Sequence, residues 1–173
     1  MKLKTSAACA ILCLAFVLTA VGAGFCADEI SGERAFAIAL KNAEVPEKDA
    51  YNVEIKRDRE NGIAVFKVDF ETRYGDYEFE VAREGGRIIG ADYEVDGKWL
   101  RTLGGSPVSI DEAKRIVQQK VPGSHFKDIR MRREGGGHDA RYEGDLFHEG
   151  IKYEFEIDPR TGRIFEWSAD LRG

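Results

Sequence analysis

Two apolar rhythms alternate along this chain, a helical one of about 3.6 residues and a strand one of two. From Ser31 onward, Ala35, Ile38 and Ala39 mark one face, with Phe36 and Leu40 flanking it. This spacing predicts a helix over Gly32–Ala43, stopped by Pro46. Ser31 is a good N-cap, and Glu33 meets the partial positive charge of the helix start. The rhythm then changes to alternation. Runs at 53–56, 63–70, 77–81 and 87–95 read as strands. Within them Phe66, Val68 and Phe70 alternate with Lys67 and Asp69, and Tyr77, Phe79 and Val81 with Glu78 and Glu80. Asn61-Gly62 and Gly85-Gly86 supply backbone that reaches positive φ, as hairpin turns require. One apolar and one charged face per strand is the pattern of an antiparallel sheet with one wet side.

The order then starts again. Ser109 with Glu112 forms a capping-box signature, and Ala113, Ile116, Val117 and Val121 make the stripe of a second helix ended by Pro122-Gly123. Strands follow at 129–132, 141–147, 152–158 and 163–169. Asp158-Pro159-Arg160-Thr161-Gly162 is a strong turn, because Pro suits its first position and Gly a left-handed exit. Gly135-Gly136-Gly137 replaces the tighter Asn61-Gly62 turn and predicts a mobile tip. The letters themselves repeat. Tyr77-Glu78-Phe79-Glu80-Val81 with Gly86-Arg87-Ile88 returns 76 positions later as Tyr153-Glu154-Phe155-Glu156-Ile157 with Gly162-Arg163-Ile164. Ser31, Ala35 and Ile38 return 78 positions later as Ser109, Ala113 and Ile116.

One helix-then-strands unit is therefore written twice, over 28–103 and 108–173, with a linker at 104–107. Asp96-Gly97 reads as an extra small hairpin carrying Trp99. The fold class is α+β, each unit one helix packed on an antiparallel sheet. A unit of about 70 residues is marginal alone, so the two share an interface or continue one sheet.

The first residues belong to neither unit. Lys2 and Lys4 precede the almost wholly apolar stretch 7–21, and small residues follow before charge begins at Asp28. That is the layout of a secretory signal peptide, assigned to 1–27, and it is short for a membrane span of roughly 20 residues. Val21-Gly22-Ala23 fits the small-x-small rule, and a cut after Cys26 or Ala27 suits the charged start; both stay open. A lipid on Cys26 is disfavoured by the bulky Phe25 before it. With Cys9 and Cys13 in the signal, the exported chain has at most one cysteine and no internal disulfide. Without Lys2 and Lys4, 24 basic residues face 31 acidic ones, a net charge of −7. That balance argues against nucleic acid and anionic membranes as partners and fits a periplasmic or extracellular protein.

Candidate chemistry is thin. Glu78 with Glu80, and Glu154 with Glu156, lie two apart in strands and share a face. Such pairs hold a cation, act as acid and base, or simply solvate a sheet. His125, His138 and His148 lack helical spacing, and a metal site would need them to converge with Asp139 or Glu149. No serine stands in a nucleophile motif, and the glycine pairs join strands rather than opening helices, so they are not phosphate loops. No catalytic residue, metal or cofactor is expected. Aromatic residues outside the alternation are better anchors for a partner: Tyr74 and Phe147 near corresponding hairpin ends, and Trp99. Trp167 reads as core. The candidate binding residues are Tyr74, Glu78, Glu80, Trp99, Phe147, Glu154 and Glu156.

A helix opened by Ser, followed by strands and then by Tyr153-Glu154-Phe155-Glu156-Ile157-Asp158, Thr161-Gly162 and Ile164, resembles the PepSY family. Tyr77 to Ile88 is a looser match, with Ala82-Arg83-Glu84-Gly85 replacing the Asp-x-x-Thr turn, and 30–43 and 108–121 resemble the family's opening helix. The resemblance implies exported, mostly bacterial proteins in which a helix packs on an antiparallel sheet. It also implies a role in restraining or chaperoning peptidases and cell-wall hydrolases, without a shared catalytic set. The expected function is thus non-catalytic binding of an envelope or secreted protein; the alternative is a module sensing a cation, small ligand or peptide.

Overall fold

The first helix starts where the capping chemistry places it. The structure, a computed structural model, describes residues 29–172, so the expected signal segment and all three cysteines lie outside the described residues. Helix α1 (Gly32–Ala43) is capped by Ser31, whose side chain accepts from the Arg34 N–H at 3.2 Å. It ends before Pro46 can act. Glu44 turns left-handed at φ 57°, and the Glu44 and Val45 N–H groups close on the Lys41 and Leu40 carbonyls. Helix α2 (Ile110–Lys120) opens with the full capping box: Glu112 N–H donates to the Ser109 hydroxyl, and Ser109 N–H to the Glu112 carboxylate at 2.7 Å. Ala35, Ala39 and Leu40 on α1, and Ala113 and Val117 on α2, are buried.

Eight strands form one sheet: β1 (Tyr51–Glu60), β2 (Ile63–Thr72), β3 (Gly75–Ala82), β4 (Ile88–Val95), β5 (Arg130–Glu134), β6 (Arg141–His148), β7 (Ile151–Ile157) and β8 (Ile164–Leu171). Their order across the sheet is β1-β2-β3-β4-β8-β7-β6-β5, and every neighbouring pair is antiparallel. The meander of β1 to β4 and that of β5 to β8 therefore join through their last strands. At this seam Ala91 faces Ala169, Asp92 faces Ser168 and Tyr93 faces Trp167. Alternation puts the large side chains on the helix-covered face, where Trp167, Tyr77, Phe79 and Phe155 are almost wholly buried. Rings stack across strands there, Phe70 on Tyr77 at 4.7 Å and Phe155 on Trp167 at 5.9 Å.

The expected hairpin around Asp96-Gly97 does not form. The Asp96 side chain accepts from the Lys98 N–H at 3.0 Å and its carbonyl from the Trp99 N–H at 2.9 Å, which rolls the chain into successive turns. Leu100 is thereby returned to the core. The segment 104–107, expected as a linker, is pinned. Ser106 N–H donates to the Thr161 carbonyl and Val108 N–H to that of Pro159, while a Cβ at Gly105 would lie 2.1 Å from the Thr161 carbonyl oxygen. The 135–137 tip closes through a 3-10 turn at Gly137–Asp139.

Candidate protein-binding face

The face of the sheet opposite the helices carries the other half of each alternation, and its registers line up acids. Asp76 on β3 faces Glu94 on β4, Glu94 faces Glu166 on β8, Glu166 faces Glu156 on β7, and Glu156 faces Glu143 on β6. A parallel row runs Asp69, Glu78, Asp92, and beyond Ser168 continues through Glu154 and Asp145. Like charges directly opposite in neighbouring strands weaken a sheet.

Cations relieve only the flanks of this field. Lys67 sits 3.2 Å from Glu80, Lys152 2.7 Å from Glu154, Arg141 2.9 Å from Glu156 and Arg132 2.9 Å from Glu143; Arg130 pairs with Asp145. Asp76, Glu78, Asp92, Glu94 and Glu166 have no ion-pair partner among the described residues. Partial desolvation, then the carboxylates of Glu156, Glu94 and Asp92, hold Glu166 above its ordinary pKa, and Arg141 offsets part of that. The unneutralised centre therefore lies on β3, β4 and β8, across the seam. Among the described residues no group of three or more His, Cys, Asp or Glu side chains could hold a metal ion.

The residues singled out in the sequence divide by face. Glu78 and Glu80 on β3 and Glu154 and Glu156 on β7 all lie on the open face, with β4, the seam and β8 between the two pairs. Tyr74 lies elsewhere: it is 4 % exposed, and its hydroxyl donates to the Asp49 carboxylate at 3.3 Å. Trp99 is half-buried against the core with the Arg73 guanidinium 5.0 Å over its ring. Phe147 is 61 % exposed near the end of β6. Asp92, Glu94 and Glu166 escaped the sequence reading. Their outward positions are legible in Ala91-Asp92-Tyr93-Glu94 and Glu166-Trp167-Ser168; their adjacency required knowing that β4 pairs with β8.

Residues 107–167 match the PepSY family, described as "Peptidase propeptide and YPEB domain". That span holds α2 and β5 to β7 with the first half of β8; one PepSY domain is detected, not two. An uncharacterized protein of Streptococcus pyogenes serotype M6, Spy1430, is 33 % identical over 61 residues, which cover 35 % of this chain and 47 % of that protein. The match thus spans about half the length of that relative. Among solved structures, the Bacillus megaterium YpeB C-terminal domain superposes with a TM-score of 0.50 at 10 % identity, over 84 % of this chain and 64 % of its own. This likeness is one of fold. Among the described residues no helix is long and apolar enough to cross a membrane.

Proposed function

We propose that this protein is an exported, non-catalytic binding module that docks on a peptidase or cell-wall hydrolase and restrains it. The carrying observation is the open sheet face, where Asp76, Glu94 and Glu166 stand in one row with no ion pair among the described residues. Such a row costs folding free energy, and a partner with a basic surface recovers that cost on docking. The PepSY match at 107–167 supports the choice of partner class and the exported location.

The same reading treats the chain as two copies of one unit related by a twofold axis through the seam. Position 92 and position 168 lie 76 apart, the offset of the repeated letters, and Asp92 faces Ser168. The pair Ala91 and Ala169 then maps onto Trp167 and Tyr93, which also face each other. One broad acidic face is built from both halves in this way.

The test is affinity capture from the envelope of the source organism, followed by inhibition of the captured hydrolase. Capture of a peptidase or wall hydrolase whose turnover falls on titration is expected, with at least tenfold weaker binding for Glu94→Lys combined with Glu166→Lys. Unchanged binding by that double variant, or no captured hydrolase even with crosslinker, removes the proposal. A cation sensor is less well supported, because Glu154 and Glu156 already face Lys152 and Arg141. Calcium calorimetry on the protein and on Glu154→Gln with Glu156→Gln decides it.

A further inference from the structure

We propose that a cavity on the helix-covered side of the seam is a binding site for a small organic carboxylate with an aromatic or branched apolar body. It occupies about 300 Å³ between the end of α1, α2, the turns at 100–103 and the central strands. That is the lower end of the range for small-molecule sites. Tyr77 and Tyr93 floor it, and Val45, Val95 and Leu100 make its apolar walls, all of them buried.

Lys120 points into this setting instead of toward water. A lysine in the last turn of a surface helix ordinarily extends its amine to solvent. Here the residue as a whole is only partly buried, yet its amine lies 4.9 Å from the Trp167 ring and 5.3 Å from the Tyr93 ring, which are 1 % and 3 % exposed. The amine donates to the Asn42 carbonyl, which the left-handed closure of α1 at Leu40 and Lys41 leaves over. An ammonium has three donors, and this bond uses one. No carboxylate stands at ion-pair distance among the described residues; Glu44 acts only from farther off. The Asn42 Oδ1 atom is buried without a hydrogen-bond partner, in a neighbouring cavity that Lys120 also lines.

The remaining charges sort themselves. Arg163 is held by the Gly104 and Leu103 carbonyls and Arg73 lies on the Trp99 ring, while Asp49 accepts from Tyr74. Lys120 is the cation left with donors to spare, over a floor of tyrosine rings and between apolar walls. A carboxylate beside it supplies the missing acceptor and counter-charge, and the ligand's body replaces void with contacts. Burial lowers the amine to about 7, with Glu44 pulling part of the way back. Above that pH the amine is neutral, so an incoming carboxylate must bring a proton with it.

The probe is sodium 3-phenylpropionate, titrated into the purified protein and followed by NMR, with 3-phenylpropionamide as the uncharged control. Saturable shifts at Tyr93, Trp167 and Lys120 are expected for the acid and not for the amide. Affinity should fall by about tenfold per pH unit above pH 8. Lys120→Met should weaken binding at least tenfold. Equal binding of amide and acid, affinity that ignores pH, or no saturation at millimolar acid overturns the site. These three readouts use the wild-type chain and stand even if the Lys120 variant fails to fold. N-acetyl-Gly-Phe as the free acid tells the source: tighter binding than the small acid assigns a peptide C-terminus, weaker binding a free acid, and either upholds the carboxylate site. The cavity and the acidic face lie on opposite sides of the sheet, so charge reversal at Glu94 and Glu166 should leave this binding unchanged.

Discussion

Glu166 is an acid set among acids, and its surroundings decide what its charge costs. Its folded pKa lies above the ordinary 4.5, so ionisation is worse in the folded chain than in the unfolded one. The penalty is full at neutral pH and vanishes as pH falls below the ordinary carboxylate value. Glu166→Gln should therefore raise stability by about 0.5 kcal/mol at pH 7 and by nothing at pH 3.5, read from urea midpoints. Lys120 works in the opposite range. Its folded pKa is lowered from 10.5 to about 7, so the unfolded chain binds a proton there that the folded one does not. Stability then rises with pH between those two values. Between pH 7 and pH 10 the wild type should gain on Lys120→Met, on the order of 3 kcal/mol. Raised phenol pKa values at Tyr77 and Tyr93 act on both proteins above pH 10 and cancel in the difference. Neither residue could be chosen from the sequence, since their pKa values are set by chain segments far away along it.

At the scale of elements the starts were legible and several ends were not. Ser31 and Ser109 cap the helices that their spacing predicts, because a cap is a contact within three residues. Ser109→Ala should cost about 1 kcal/mol and Ser31→Ala less, since only Ser109 has the reciprocal bond from Glu112. Comparing their denaturation midpoints checks this. The end of α1 falls at Ala43 as the spacing predicts, but the stop is not Pro46: Glu44 takes the left-handed turn that a glycine usually supplies. Strand β1 runs to Glu60, well past Lys56, although Arg57-Asp58-Arg59 has no apolar rhythm; pairing with β2 holds it at the sheet edge. Glycine in β6 has a packing reason. A Cβ at Gly144 would lie 2.3 Å from the Arg130 carbonyl oxygen and 2.6 Å from the Phe155 ring, so Gly144→Ala should lower the melting temperature by several degrees. A melting curve unchanged within a degree would show that β5 and Phe155 shift freely.

The whole molecule is defined by a seam, and the seam is also where both proposed sites lie. Trp167 is 1 % exposed between Tyr153, Phe155 and the Lys120 amine, so Trp167→Ala should cost about 3–5 kcal/mol in one cooperative unfolding transition. Residues 107–173 expressed alone would bare the β8 edge that β4 now covers. That fragment is expected to dimerise through β8, as sedimentation would show; a folded monomer would count against the twofold reading. By itself the sequence determined the elements that depend on near neighbours: two capped amphipathic helices, strands with one wet face, and the turns between them. It also determined that Glu78, Glu80, Glu154 and Glu156 face outward, because strand alternation is a local property. Only the tertiary structure decided that β4 pairs with β8, and with it the joining of two acidic surfaces into one and the burial of the Lys120 amine. These depend on contacts between residues about 80 apart in the chain, which local periodicity does not encode.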